Sequence, residues 1–423
     1  MHFHRKSLWM VGCSLLFSHA LAQDIPEGTV LKADNVEELK SKTFEGKKIS
    51  ELLLPSQERA IKEFGLQMVL RPHRPIAHHP LLLENTKKFA SRVTFDEAKR
   101  SPVGFVSGMP FPNIDPKDKW AGMKLAFNFM WGPWYGDYAV HDPMPLVTIN
   151  PNRGMEREIL AHWDRIMLMG RLREPYSMNY PGTSAQASKV EALLFKSPED
   201  IKGIGTISIQ YADGRLPDLY AYIKAVRRIR RLSSGGWADP ISAIDFLNDE
   251  SFALNADPRW YDQWNLKEKR WILGSPHAIS SGIQLNERDP NKRYSNLNFA
   301  SKPFGGLKEE YEPREVWVVE VIMPKTHLNS KKIQHFEADP YSPELYWQEM
   351  YDRKGEFWRT MECHYQDKQG GDGHPVPIVA GCFVPDYQRF HLTVMYNSKD
   401  YINNVQNFNI SDFTPQALSR LVQ

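Results

Sequence analysis

A strand-dominated α+β fold, a large curved antiparallel sheet with helices against one face, is the architecture this sequence predicts. Three observations predict it. Apolar and polar residues alternate with a period of two in segments spread over most of the 423 residues. Turn signals such as Asp352-Arg353-Lys354-Gly355 separate those segments. No repeat, low-complexity tract or Pro/Ser linker interrupts the chain, its 30 prolines being scattered. Length alone would allow two or three domains. The continuous period-2 signal favours one, so residues 23–423 are expected to form a single large domain.

The first 22 residues read as a secretory signal peptide: Arg5 and Lys6 supply a positive start, Leu8 to Phe17 an apolar stretch, and Ala20-Leu21-Ala22 small residues for cleavage before Gln23. The apolar run is roughly half the ~20 residues a membrane span needs. Cys13 leaves with it. Among the mature elements, Ser56 to Phe64 is expected to be a helix with a Ser cap and Gly65 as its stop. Phe89, Ser91, Val93 and Phe95 alternate with Lys88, Ala90, Arg92 and Thr94, which predicts a strand. Ile159, Trp163, Ile166 and Met167 recur at three and four, which predicts a helix over 155–169.

Ile207 and Ile209 mark the next strand; if Tyr220 to Leu232 is extended, Arg228 and Arg230 face one way and Arg227 and Arg231 the other. Val316 to Met323 is a β-branched run. Leu345 to Met350 and Phe357 to Met361 form a hairpin around the Asp352–Gly355 turn, and Phe390 to Tyr396 is a further strand. Thr414 and Pro415 open a C-terminal helix through Ala417, Leu418, Leu421 and Val422. This is the pattern of an antiparallel meander with one buried face.

Removal of residues 1–22 takes away two of the 53 basic residues, leaving 51 against 51 acidic ones. A neutral exported chain excludes a general nucleic-acid binder. With 21 Phe, 12 Trp and 17 Tyr it can bury a large core. Cys363 and Cys382 remain, flanking the polar, Gly-rich Asp367–His374 stretch that reads as a hairpin loop. In an oxidising compartment they are either bridged or free, and register decides which.

The basic block Arg227, Arg228, Arg230 and Arg231 is the most unusual local feature. Its guanidiniums either hold an anionic headgroup or partner carboxylate, or pair structurally with Asp218, Asp245, Asp249 or Glu250. The aromatic cluster Phe127, Phe129, Trp131, Trp134 and Tyr135 either lines a ligand mouth, which makes Trp131 and Trp134 candidate binding residues, or packs as core. Met155, Met167 and Met169 admit the same two readings. His73, His78 and His79 lack a second ligand pair at metal spacing and read as a surface loop. No Gly-x-Ser-x-Gly, His-Glu-x-x-His, phosphate-cradling loop or Cys-x-x-Cys occurs in residues 23–423. No cofactor or metal is called for.

Five ordered segments carry a resemblance: Thr43–Ile49; Gly108–Asn113 with Asp115 and Asp118–Gly122; Val226–Leu232; Glu312–Glu320; and Tyr351–Arg359. Together they resemble an uncharacterised Gram-negative family known as outer membrane lipoprotein-sorting proteins, grouped with the LolA/LolB type of periplasmic carrier. The resemblance implies a half-open β-barrel whose concave apolar face, covered by helices, shelters a lipid or acyl chain in the periplasm. It transfers no carrier binding residue. The leading expectation is therefore a non-enzymatic periplasmic carrier or chaperone for a lipid, a lipoprotein acyl chain or another hydrophobic molecule. The alternatives are an adaptor that docks onto an envelope transporter or outer-membrane barrel, and an envelope lipid hydrolase.

Overall fold

The structure is a computed structural model that describes residues 24–241, 244–279, 283–397, 400–402 and 409–421. The expected signal peptide, with Cys13, Ala22 and Gln23, lies outside the described residues.

One strand order organises the molecule. Arg228–Arg231 lies at one end, followed by Asp218–Ile223, Gly205–Tyr211, Ala187–Ser197, Gly154–Met167 and Tyr138–Asn150. The order continues with His391–Tyr396, Pro375–Asp386, Phe357–Gln369, Leu345–Asp352, Asn329–Glu337, Gly306–Ile322 and Gln263–Gly274. All these pairs are antiparallel. Gln67–Leu70 joins the start of Gly306–Ile322 in parallel, which makes the sheet mixed. Among the described residues its two ends do not pair, so it is not closed into a barrel.

This order carries a topological consequence. Successive hairpins take the chain from Tyr138 out to the Arg228–Arg231 edge, but the next strand, Gln263–Gly274, lies at the opposite edge. Residues 232–262 therefore have to cross a face of the sheet. The described residues of this stretch are irregular backbone with short 3-10 turns at Ser234–Ala238, Asn248–Glu250 and Pro258–Trp260.

Alternation along the strands sorts what each face meets. On Leu345–Asp352, the Gln348 side chain donates to Ala253 O of the crossing segment at 2.7 Å. Its neighbours Trp347 and Glu349 meet Ser56 of the helix Pro55–Phe64 on the other face, at 2.9 and 2.5 Å. Helix Ala121–Trp131 shares the crossing segment's side, where Phe129 lies 6.2 Å from Phe336. In the other half of the sheet, Val190, Ala192, Ile207 and Ile209 pack with Phe413 and Leu418 of the C-terminal segment. Both faces are thus covered.

The strands at Gly205–Tyr211, Gly306–Ile322, Leu345–Asp352, Phe357–Gln369 and His391–Tyr396 form where the period-2 pattern places them. Gly355 takes φ +83° in the expected turn, where its N–H donates to Asp352 O at 2.9 Å. Gly65, at φ +70°, ends the helix Pro55–Phe64. The cap of that helix differs: the Gln57 side chain accepts from Leu54 N–H, and Ser56 is used for tertiary contacts instead.

Three expectations are corrected. Residues 155–169 form the strand Gly154–Met167, because neighbours pair with it on both sides and Ile159, Ala161 and Trp163 are buried at a period of two. Lys88–Phe95 is not one strand. Helix Pro80–Phe89, opened by Pro80 and capped by His79 Nδ1 on Leu81 N–H, runs into it, and only Thr94–Asp96 pairs. Tyr220–Leu232 is not extended throughout but turns back as a hairpin at Lys224–Val226, with Arg227 at φ +50°.

Candidate functional site

Between the crossing segment and the sheet lies a predominantly apolar cavity of about 120 Å³. The sheet contributes Met144, Leu146, Trp163, Leu193, Leu219 and Met395, and the crossing segment contributes Trp237, Ile244, Phe246, Phe252 and Trp260. The strands build their wall by alternation. Glu191 and Leu193, and likewise Thr206, Ser208 and Gln210, face the cavity while the residues between them face the C-terminal segment.

The crossing segment is held against this wall by ring packing and by charge, and its backbone is strained to fit. Phe252 and Ala253 take φ +53° and +78°, positions that cost about 1–3 kcal/mol each and persist only where surrounding contacts enforce them. Here Phe252 packs at a tilt on Trp163, 4.1 Å between ring centroids, and stacks over His141 at 5.2 Å. Asp249 and Glu250 anchor the middle. Lys332 Nζ lies 2.8 Å from Asp249 Oδ2 and 3.0 Å from Glu250 Oε1, and Arg359 Nη2 lies 3.1 Å from Glu250 Oε1. Tyr261 donates to Asp249 at 2.9 Å. Burial alone would raise these carboxyls, but Lys332 with His327 holds Asp249 well below the usual range, and Arg359 with Lys332 lowers Glu250.

One corner of the cavity is polar. Asn255 Nδ2 donates to Glu191 Oε2 at 2.9 Å, and Gln210 Nε2 donates to Asn255 O at 3.2 Å. Lys189 backs this corner, bonded to Glu191 at 3.3 Å and to Asn255. Burial pulls the Lys189 ammonium down to about 8, opposed by Glu191. The cavity therefore suits an apolar body with a hydrogen-bonding group at one end.

Trp131 and Trp134 are not part of it. They belong to helix Ala121–Trp131 and the turn after it, are 6% and 3% exposed, and Trp134 Nε1 donates to Phe129 O at 2.9 Å. They do not line the cavity. Apart from Trp163, the aromatics that do line it come from a segment with no apolar period. Its sequence signal is only the density of Trp237, Ile241, Ile244, Phe246, Leu247, Phe252 and Trp260.

The arginine block sits on the exposed hairpin at the sheet's end. Arg231 is bonded to Asp218, whereas Arg227, Arg228 and Arg230 have no ion pair or side-chain hydrogen bond among the described residues. Asp245 and Asp249 pair elsewhere, with the His391 and Thr393 side chains and with Lys332 and His327. They cannot serve the block because they are buried in the crossing segment. Cys363 and Cys382 are direct cross-strand partners, Cα atoms 4.3 Å apart, and are joined as a disulfide. His73 approaches Pro313 O, His78 pairs with Asp339 and His79 with Asp372. No group of His, Cys, Asp and Glu able to hold a metal ion occurs among the described residues. Nor is any described helix long and apolar enough to cross a membrane.

An open, strand-dominated α+β sheet crossed by a segment that roofs an apolar cavity is the class these features define. The chain belongs to the family DUF1329, described as a protein of unknown function, whose model matches residues 31–419. An uncharacterized protein of Pseudomonas aeruginosa is 30% identical over 158 residues, 36% of this chain. That match spans 32% of the relative's length, about a third. Among solved structures, an outer membrane lipoprotein-sorting protein domain from Vibrio parahaemolyticus is similar at a TM-score of 0.47 and 16% identity, over 72% of this chain and 100% of that one. A DUF1329 family protein from Desulfovibrio piger is similar at 0.47 and 14%, over 72% and 99%. A LolA superfamily protein from Nitrosomonas europaea is similar at 0.37 and 12%, over 66% and 90%.

Proposed function

We propose that this protein is an exported, non-enzymatic carrier of a hydrophobic molecule in the periplasm, holding the ligand's apolar part between the sheet and the crossing segment. The observation that carries this reading is the apolar cavity with one polar corner at Glu191, Gln210 and Asn255. Binding draws on the burial of apolar area, about 25 cal/mol per Å².

Size limits the occupant. An engineered apolar cavity of about 150 Å³ admits benzene, so about 120 Å³ takes a ring or a short stretch of chain. A long acyl chain enters only if the part of the crossing segment that carries Trp237 and Phe246 moves away. Asp249 and Glu250, pinned by Lys332 and Arg359, stay in place, because unpairing a buried charge costs about 3–5 kcal/mol.

Native mass spectrometry of the protein purified from its own envelope tests the reading. A co-purifying lipid, and binding of toluene, a single ring of the size this cavity admits, that Ser208→Phe abolishes without unfolding the chain, are expected. A ligand-free chain in a stable complex with an envelope protein favours the adaptor instead. Lipid turnover lost on substitution of one acidic or His residue overturns the non-enzymatic reading.

A further inference from the structure

The hairpin Leu216–Leu232 combines two features found together nowhere else among the described residues. Of the seven exposed large hydrophobic residues, four are Leu216, Ile223, Val226 and Leu232, with Val226 the most exposed at 52%. Among them stand Arg227, Arg228 and Arg230, exposed and without carboxylate partners among the described residues. Strand pairing sets this arrangement. Ile223 opposes Arg228 and Tyr222 opposes Ile229. The turn at Lys224–Val226 and the left-handed Arg227 put Val226 at the tip beside the guanidiniums. The hairpin ends the sheet order, so no further strand covers it among the described residues.

We propose that this hairpin docks the protein on the surface of an anionic phospholipid bilayer. Guanidiniums match lipid phosphates in bidentate geometry, and exposed aliphatic side chains beside them gain by entering the acyl boundary. A nucleic acid or an acidic peptide would satisfy the arginines but leave Ile223, Val226 and Leu232 in water. The hairpin also borders the cavity, since Pro217 and Leu219 in its first arm and Ser233 just beyond its second line it. Docking thus places the cavity beside the bilayer. The inference adds a partner to the carrier reading and stands or falls separately from it.

Co-sedimentation of the mature protein with phosphatidylcholine vesicles, with and without phosphatidylglycerol, tests the proposal. Binding to the anionic vesicles is expected, weakening as salt screens the surface. Each Arg→Gln change at Arg228 or Arg230 is expected to weaken it about fivefold, from roughly 1 kcal/mol per basic residue near an anionic surface. Val226→Ser with Ile223→Ser is expected to weaken it at every salt concentration. Equal binding to neutral vesicles, no binding to either, or wild-type binding by the Arg→Gln variants or by the Val226→Ser, Ile223→Ser double variant overturns the proposal. Uptake of toluene without vesicles keeps the readings apart. Variants that keep uptake and lose vesicles are folded and support docking, whereas a wild type that binds anionic vesicles but takes up no probe sinks the carrier reading alone.

Discussion

At Asp249 and Glu250 two carboxylates lie fully inside the molecule, and Lys332, Arg359 and His327 converge on them. At the Leu216–Leu232 hairpin four arginines lie in water, and among the described residues only Arg231 meets a carboxylate. Both regions are dense in charge, yet one fixes a crossing segment to a sheet while the other leaves its charges unspent. Burial makes the difference: a charge removed from water has to be paired, and a solvated one does not. An ion pair inside therefore reports on architecture. Unpaired arginines among exposed aliphatics point outward, to a partner.

Removing one member of the buried cluster gives the largest expected effect. Asp249→Asn leaves Lys332 and His327 buried beside a neutral side chain and is expected to lower stability by about 3–5 kcal/mol in urea unfolding. Arg228→Gln is expected to stay within about 0.5 kcal/mol. Equal costs for the two would erase the distinction.

The pH dependence sharpens it among buried carboxyls. Asp249 and Glu250 have lowered values when folded, so their contribution is present above the unfolded value of about 4 and is lost as pH falls. Glu309 and Glu362 are buried without a cation partner among the described residues, and burial pushes each up to about 8. They keep their protons in the folded chain while the unfolded chain releases them above about 4.3. Stability is therefore expected to decline by a few kcal/mol between about pH 5 and 8. Glu309→Gln and Glu362→Gln should each make this limb shallower and leave the acid limb alone, the remainder coming from Glu344, which burial raises well above the usual range, and Asp137, raised to about 6. A decline that persists unchanged in both variants would contradict the assignment.

The disulfide gives a smaller effect, independent of charge. Cys363 and Cys382 close a loop with a sequence separation of 19. Replacing both by Ser is expected to cost on the order of 3 kcal/mol by loop-closure entropy. Reducing agent should shift the wild type and not the variant, and a wild type indifferent to reduction would mean the thiols are free.

Much of the strand architecture was legible, because a strand with one buried face writes its own period. Ile207 and Ile209, Val316 to Met323, and the hairpin at Asp352–Gly355 needed no partner to be recognised. Gly154–Met167 was not legible, since Ile159, Trp163 and Ile166 also fit helical spacing and only pairing with two neighbouring strands removes the ambiguity. The candidate site was less legible still. Trp163, Phe246 and Phe252 converge from a strand and from an aperiodic segment, and the sequence marks neither as a wall. The matching of charges was equally hidden. Asp249 lies close in sequence to the arginine block, yet it pairs with Lys332, which is 83 residues away.

By itself the sequence determined what depends on neighbours along the chain: alternation, turns, the stop at Gly65, and an arginine block dense enough to stand out. The tertiary structure alone decided which edge follows which, and hence that residues 232–262 cross the sheet, roof a cavity and take their counter-charges from distant strands. Local patterning is set by steric and solvation preferences over a few residues, whereas strand order and charge pairing are set by contacts whose sequence separation leaves no local trace.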